Sequence, residues 1–268
     1  MTFLVTGGAG FIGANFVHYL LQTYQDCRVI TLDKLTYAGN LDNLKDVADD
    51  ARHTFVRGDI ADETVVNPLF ERGVDVCVNF AAETHVDRSL GDKMDFLTTN
   101  IQGSYVLLEA AKQYGVTKFI QISTDEVYGS IEPGRSSRET DELLPRNPYA
   151  ATKAGADRLA YSYFASYGLP VCVTRASNNY GPCQYPEKLV PLFVTNLLEN
   201  KPVPIYGDRR NIRDWLHVLD HCRGIDVVIR NGHDGETYNI GGGNERENIH
   251  VVDLIFAQLG APAALKQY

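Results

Sequence analysis

The sequence predicts an α/β fold, a doubly wound parallel sheet with a smaller, irregular C-terminal lobe. Two observations lead there. Short apolar runs alternate with stretches of helical periodicity through the first half of the chain, and a glycine-rich turn joins the first run to the first helix. Such runs read as strands buried on both faces, and right-handed crossovers wind them into one sheet. The 268 residues, 44% of them hydrophobic and 22% charged, have ordinary globular composition.

Phe3–Thr6 is a strand, Phe11–Thr23 a helix, Val29–Leu32 a strand ended by Asp33, and Thr54–Val56 a third strand. Val65–Phe70 reads as helix, Val74–Phe80 as strand, Phe96–Tyr114 as helix and Phe119–Ile122 as strand. Asn147-Pro148 opens a helix running to about Tyr167, since proline loses no partner in a first helical turn. Val171–Arg175 is the next strand. Beyond about Asn178 prolines and glycines cluster, and the pattern supports only short strands and one helix, Leu189–Asn200. The expected division is therefore residues 1–177 against a lobe of residues 178–268, with a soft boundary. Ile131–Leu144, polar and arginine-bearing, reads as a mobile loop near the site.

Charge and cysteine usage narrow the class. With 25 Lys+Arg against 34 Asp+Glu the net charge is −9, and no basic stripe exists to serve as a nucleic-acid footprint. Five widely spaced cysteines without a CxxC pair suggest neither disulfides nor a metal site, so a reduced, cytoplasmic setting is expected. The N-terminus lacks a signal-peptide pattern. No apolar run reaches the roughly 18 residues of a membrane span.

The turn Thr6-Gly7-Gly8-Ala9-Gly10-Phe11-Ile12-Gly13 fits GxGxxG between a strand and a helix. There glycines permit a tight turn, close approach to a pyrophosphate, and helix–strand packing, with phosphates on the positive helix end. Asp33, 20 residues after Gly13, suits a ribose diol and favours NAD over its 2′-phosphorylated form. This makes the fold Rossmann-type. Asp59-Ile60 suits an adenine edge, and the small residues of Phe80-Ala81-Ala82 would let backbone approach a dinucleotide. Tyr149 and Lys153 are four apart on one helix and so share a face. A tyrosine with a pKa of about 10 needs a neighbouring ammonium and a positive nicotinamide to serve as a base. Thr124-Asp125-Glu126 ends the strand beside them. Thr124 can donate to an oxygen being oxidised, and two adjacent acids can divide acid and base roles.

Together TGGAGFIG, Asp33, AAETHVDRS (Ala81–Ser89), STDEVYG (Ser123–Gly129), YAATK (Tyr149–Lys153), NNYGP (Asn178–Pro182), EKLVP (Glu187–Pro191) and RDW (Arg213–Trp215) run through nearly the whole chain in order. This set resembles the extended short-chain dehydrogenase/reductase family and, within it, the dTDP-glucose 4,6-dehydratases. The resemblance implies tightly bound NAD and an oxidation–elimination–reduction sequence in deoxysugar biosynthesis. Tyr149 would take the C4 hydroxyl proton, Glu126 the C5 proton, and Asp125 would protonate the departing C6 hydroxyl. It further implies cofactor contacts from Gly7, Gly10, Phe11, Ile12, Gly13, Asp33, Lys34, Leu35, Thr36, Asp59, Ile60, Phe80, Ala81, Ala82, Thr99, Tyr149, Lys153 and Asn179. Sugar-nucleotide contacts would come from Thr84, Thr124, Asn178, Lys188, Leu189, Pro204, Tyr206, Arg213 and Asn248. No role is implied for His85. The resemblance also implies a homodimer through a four-helix bundle of Phe96–Tyr114 and Tyr149–Tyr167, where Tyr105, Leu108, Leu159 and Tyr163 could be surface or core. Members usually continue past Tyr268 with a basic nucleotide-binding loop. A UDP-sugar dehydratase or epimerase of the same fold, and a non-catalytic NAD-binding scaffold, remain open readings.

Overall fold

The computed structural model describes residues 1–84, 94–132, 134–205 and 211–267. His85 and Tyr206 lie outside these residues, as does part of the Ala81–Ser89 motif. The first half alternates β1 (Thr2–Thr6), α1 (Phe11–Thr23), β2 (Arg28–Asp33), β3 (His53–Arg57), α2 (Glu63–Phe70) and β4 (Val76–Asn79). A π-helical stretch, Leu97–Gly103, then runs into α3 (Ser104–Tyr114) and β5 (Lys118–Thr124). Next come α4 (Pro148–Tyr167), β6 (Val171–Ala176), β7 (Asn178–Tyr180), α5 (Leu189–Leu198), β8 (Val203–Pro204), β9 (Ile212–His217) and α6 (Val218–Asn231). The chain closes with β10 (Thr237–Ile240), β11 (Glu245–Glu247), α7 (Asn248–Leu259) and β12 (Lys266–Gln267).

Seven strands form one parallel sheet in the order β10-β6-β5-β4-β1-β2-β3. Strand alternation sorts its core into two layers. Phe3 and Val5 face α1 and α6, packing with Phe16, Leu20, Cys222 and Ile225, while Leu4 points to the opposite layer with Leu69, Leu107 and Phe119. The strand order reverses between β1 and β4, where ligands of open α/β sheets bind beyond the strand ends.

Two expectations for the second half need correction. It holds three α-helices among the described residues, not one; β10 pairs with β6 in the large sheet, and α6 packs into that sheet's core. Asp226 on α6 accepts hydrogen bonds from Tyr19 and Tyr24 at 2.8 and 2.6 Å, tying α6 to α1. Val218, Cys222, Ile225 and Ile229, spaced as one helical face, carried that signal in the sequence. The remaining part has its own small core of Phe193, Leu197, Val203, Ile205, Val252 and Phe256. The expected mobile loop is docked over its second half: Glu139 accepts from the Asn239 backbone N–H at 2.9 Å, and the Ser137 carbonyl accepts from Asn239 Nδ2 at 3.1 Å. Leu108 and Tyr163 are core, Leu159 packs at the core's edge, and Tyr105 is exposed.

Candidate active site

One long cleft follows the strand ends from β3 across to β7 and is closed by the start of α5. Its β1–β2 end is made of backbone. Gly7 has a left-handed φ of 65°, and its N–H donates to Leu32 O at 2.8 Å. A Cβ on Gly7 would stand 2.7 Å from Ala81 N, and one on Gly13 would sit against the Gly7 carbonyl. This is a cradle only glycines leave open, and the first turn of α1 points its unpaired amides there. Asp33 ends β2, almost buried, and accepts from Ala9 N at 2.9 Å and Leu35 N at 2.8 Å. Burial raises its carboxyl above the usual range, and those amide bonds oppose the shift. Lys34 and Asp59 pair at 2.7 Å beside Ile60.

The cleft floor is held by buried amides and hydroxyls. Thr6 Oγ1 donates to Asn79 Oδ1 at 2.6 Å, and Asn79 Nδ2 donates to Gln121 Oε1 at 3.1 Å. Asn100 accepts from Glu83 N at 2.9 Å and donates to Thr152 Oγ1 at 2.9 Å, linking the β4 loop to α4. Gly103 packs its backbone onto Ile60, where any Cβ would collide with Cδ1.

The β5 end is made of side chains. Thr124 caps the turn Asp125–Tyr128: its Oγ1 accepts from Glu126 N and donates to Asp125 Oδ1, both at 3.2 Å. Asn147 Nδ2 donates to Glu126 Oε2 at 3.0 Å. Tyr149 and Lys153 are buried on the facing side of α4. Burial pushes the Asp125 carboxyl up to about 6; the Thr124 hydrogen bond opposes this, Glu126 adds to it, and Arg213 lowers it. Tyr149 departs from expectation. Burial drives its phenol above the usual range, Glu126 adds to that, and Thr124 opposes. Lys153 does not offset this, because its Nζ donates to Ile122 O at 2.5 Å. Burial brings Lys153 down to about 8, with Asp157 one helical turn on pulling it up. Asp157 is itself paired to Arg175 at 3.0 Å with both side chains buried.

Residues 4–266 match the family described as GDP-mannose 4,6 dehydratase. The chain belongs to that family. Among its relatives, a dTDP-glucose 4,6-dehydratase from Streptomyces antibioticus is 55% identical over 97% of this chain and 78% of its own length. The low-salt glycan biosynthesis protein Agl12 of Haloferax volcanii is 52% identical over 97% of this chain and 83% of its own. The solved dTDP-glucose 4,6-dehydratase of Bacillus anthracis, in complex with NAD, superposes with a TM-score of 0.94 at 50% identity, covering 100% of this chain and 84% of that one. The expected resemblance to extended short-chain dehydrogenase/reductases therefore holds.

In this dehydratase-family chain the cleft gathers most of the expected residues: Gly7, Gly10, Phe11, Ile12, Gly13, Asp33, Lys34, Thr36, Asp59, Ile60, Phe80, Ala81, Ala82, Thr99 and Asn179 line it. So do Thr84, Asn178, Lys188 and Leu189, with all of Thr124, Asp125, Glu126, Tyr149 and Lys153. Leu35 does not line it. A left-handed φ of 57° accompanies a side chain packed against the α1-side core. Pro204, Arg213 and Asn248 also stand outside the lining, on β8, β9 and the start of α7, although the Arg213 charge reaches Asp125.

The sequence reading missed several wall residues. Tyr37 donates to Glu187 Oε1 at 3.3 Å and meets Tyr185 edge to face at 5.5 Å, so the β2 loop touches the small lobe across the cleft. His221, on α6, is fully buried and held near a pKa of about 4 by burial; Nδ1 bonds Asn179 Oδ1 at 3.0 Å. Glu187 opens the EKLVP motif, but no motif marked Tyr37, Tyr185 or His221, though His221 lies just after RDW.

Proposed function

We propose that this protein catalyses NAD-dependent dehydration of a nucleotide-glucose, dTDP-glucose before UDP-glucose, to the 4-keto-6-deoxy sugar. The observation that carries this is the pair Asp125–Glu126 held opposite Tyr149 at the end of β5. Oxidation or epimerisation at C4 needs one base; removing water across C5–C6 needs an acid and a base besides. The glycine cradle, with Asp33 at the end of β2, fits NAD. Bound there, NAD supplies the hydride acceptor for C4 and the hydride donor for C6.

The side chains do the proton work. Tyr149 accepts the C4 hydroxyl proton, its phenolate stabilised by the positive charge the oxidised cofactor would place beside it, while Lys153 stands behind it on the Ile122 carbonyl. The C4 ketone acidifies C5–H, and Glu126 takes that proton. Asp125, whose raised pKa keeps part of its population protonated near neutral pH, gives its proton to the C6 hydroxyl, which leaves as water. Glu126 returns the proton to C5 as C6 is reduced. One water is lost and the cofactor ends as it began, which suits tight retention. Lys188, Leu189 and Asn178 are proposed to hold the nucleotide sugar, with Arg213, outside the lining on β9, as the proposed partner of the pyrophosphate.

Exposed Tyr105, Tyr161 and Tyr167 on α3 and α4 support a homodimer through these two helices. Among the described residues no helix is long and apolar enough to cross a membrane, and all five cysteines are free, which supports work in a reducing cytoplasm. The test is incubation with dTDP-glucose and, separately, UDP-glucose, with products identified by mass and NMR. A C6 methyl with a C4 ketone is expected, faster from dTDP-glucose. An epimer of unchanged mass would replace this reading, and sedimentation would check the dimer.

A further inference from the structure

Glu126 and Tyr149 stand on different elements, the turn after β5 and the helix α4. The chain between them departs at Gly129, whose left-handed φ of 78° lets it press against the Leu144 carbonyl, where a Cβ would collide. That contact brings the chain back beside its starting point and sets Asn147 next to Glu126. Both ends of the Asn147 amide are then used. Its Oδ1 accepts from Ala150 N at 2.7 Å, capping α4, while its Nδ2 donates to Glu126 Oε2 at 3.0 Å.

The two bonds fix the amide's orientation, since a backbone N–H requires the oxygen and a carboxylate requires the NH₂. Among common caps only asparagine serves both. Serine caps but is too short to bridge both groups; aspartate caps but has no proton to donate and sets a second negative charge against Glu126. Thr124 holds the Glu126 backbone and Asn147 its side chain, and the other carboxylate oxygen has no hydrogen bond among the described residues.

We propose that Asn147 is a positioning residue for the elimination step: it clamps Glu126 in register with the helix that carries Tyr149. The proposal rests on the dehydratase reading. It separates two functions that a simple cap would not, since a cap alone acts on α4 and hence on Tyr149 and oxidation. The clamp acts on Glu126 and therefore on the elimination of water, after C4 has been oxidised.

The test compares holoenzymes Asn147→Ser, Asn147→Asp and Asn147→Ala with the unmutated protein, all given dTDP-glucose. Turnover, the fraction of bound cofactor standing as NADH during turnover, and melting temperature are recorded. In Asn147→Ser and Asn147→Asp the melting temperature is retained, turnover falls by up to about a hundredfold, as misplacement of a catalytic group costs, and NADH builds up. Asn147→Asp is the slower of the two, and Asn147→Ala also melts earlier because the cap is gone. Unchanged turnover in the serine and aspartate variants would overturn the proposal. So would slowing without NADH build-up, which would mark Asn147 as a helix cap only. If the unmutated protein releases no 4-keto-6-deoxy product, the dehydratase reading fails first and this proposal falls with it.

Discussion

The two ends of the cleft are built from different materials. At the β1–β2 end the wall is backbone: Gly7 and Gly13 have no room for a Cβ, and Asp33 holds amide groups. At the β5 end the wall is titratable side chains: Asp125, Glu126, Tyr149 and Lys153, with the Asp157–Arg175 pair behind them. Backbone binds without titrating, so the first end suits a ligand retained through every turnover. Buried side chains change their proton affinity with their surroundings, so the second end suits proton transfer, at a cost in stability.

Substitutions at the second end should change chemistry and leave cofactor binding in place. Tyr149→Phe should lower turnover by about 10²–10⁴-fold, the usual worth of a general base, while NAD remains bound after gel filtration. Retained turnover would remove Tyr149 from the mechanism. Behind it, Arg175→Met leaves Asp157 without its guanidinium partner and should cost about 3–5 kcal/mol in denaturant unfolding. A smaller loss would mean that Lys153 neutralises Asp157 unaided.

The first end should respond in the opposite sense. A Cβ from Gly13→Ala falls on the Gly7 carbonyl, and overpacking of that kind costs about 1–3 kcal/mol. Titration should show NAD affinity falling with it, while the pH dependence of whatever turnover remains is unchanged. A shift in that pH dependence would mean that the two ends are coupled.

Asp125→Asn probes the stability cost directly. The folded-state pKa of Asp125, about 6, lies above the ordinary 3.8, so burying this carboxyl costs nothing at low pH and becomes a penalty as pH rises through about 6. The variant should therefore match the unmutated protein in melts at low pH and exceed it by about 1–3 kcal/mol above neutrality, while losing turnover. Equal stability at both pH values would show that Asp125 is solvated. For the unmutated protein, a turnover step that needs protonated Asp125 should slow as pH rises above about 6.

Legibility in the sequence divides along the same line. The cradle was readable because its requirement is local: glycines at fixed spacing between an apolar run and a helix. Thr124, Asp125, Glu126, Tyr149 and Lys153 could be named from spacing and resemblance, and all five line one cleft. Their proton affinities could not. Spacing puts Lys153 one turn from Tyr149, but the ammonium bonds the Ile122 carbonyl, and burial among carboxylates pushes the phenol up. The wall at Tyr37, Tyr185 and His221 was unread because it joins segments far apart in the chain.

The sequence by itself determined the parallel sheet, the dinucleotide turn and the set of titratable residues that meet at the β5 end of the cleft, since each arises from hydrophobic period or from short motifs with local steric causes. Only the tertiary structure decided that β10 joins β6 at the edge of the large sheet, that Leu35 packs against the core, and that Asn147 joins Glu126 to α4. Those outcomes depend on burial and on contacts between distant segments, which a linear pattern does not encode.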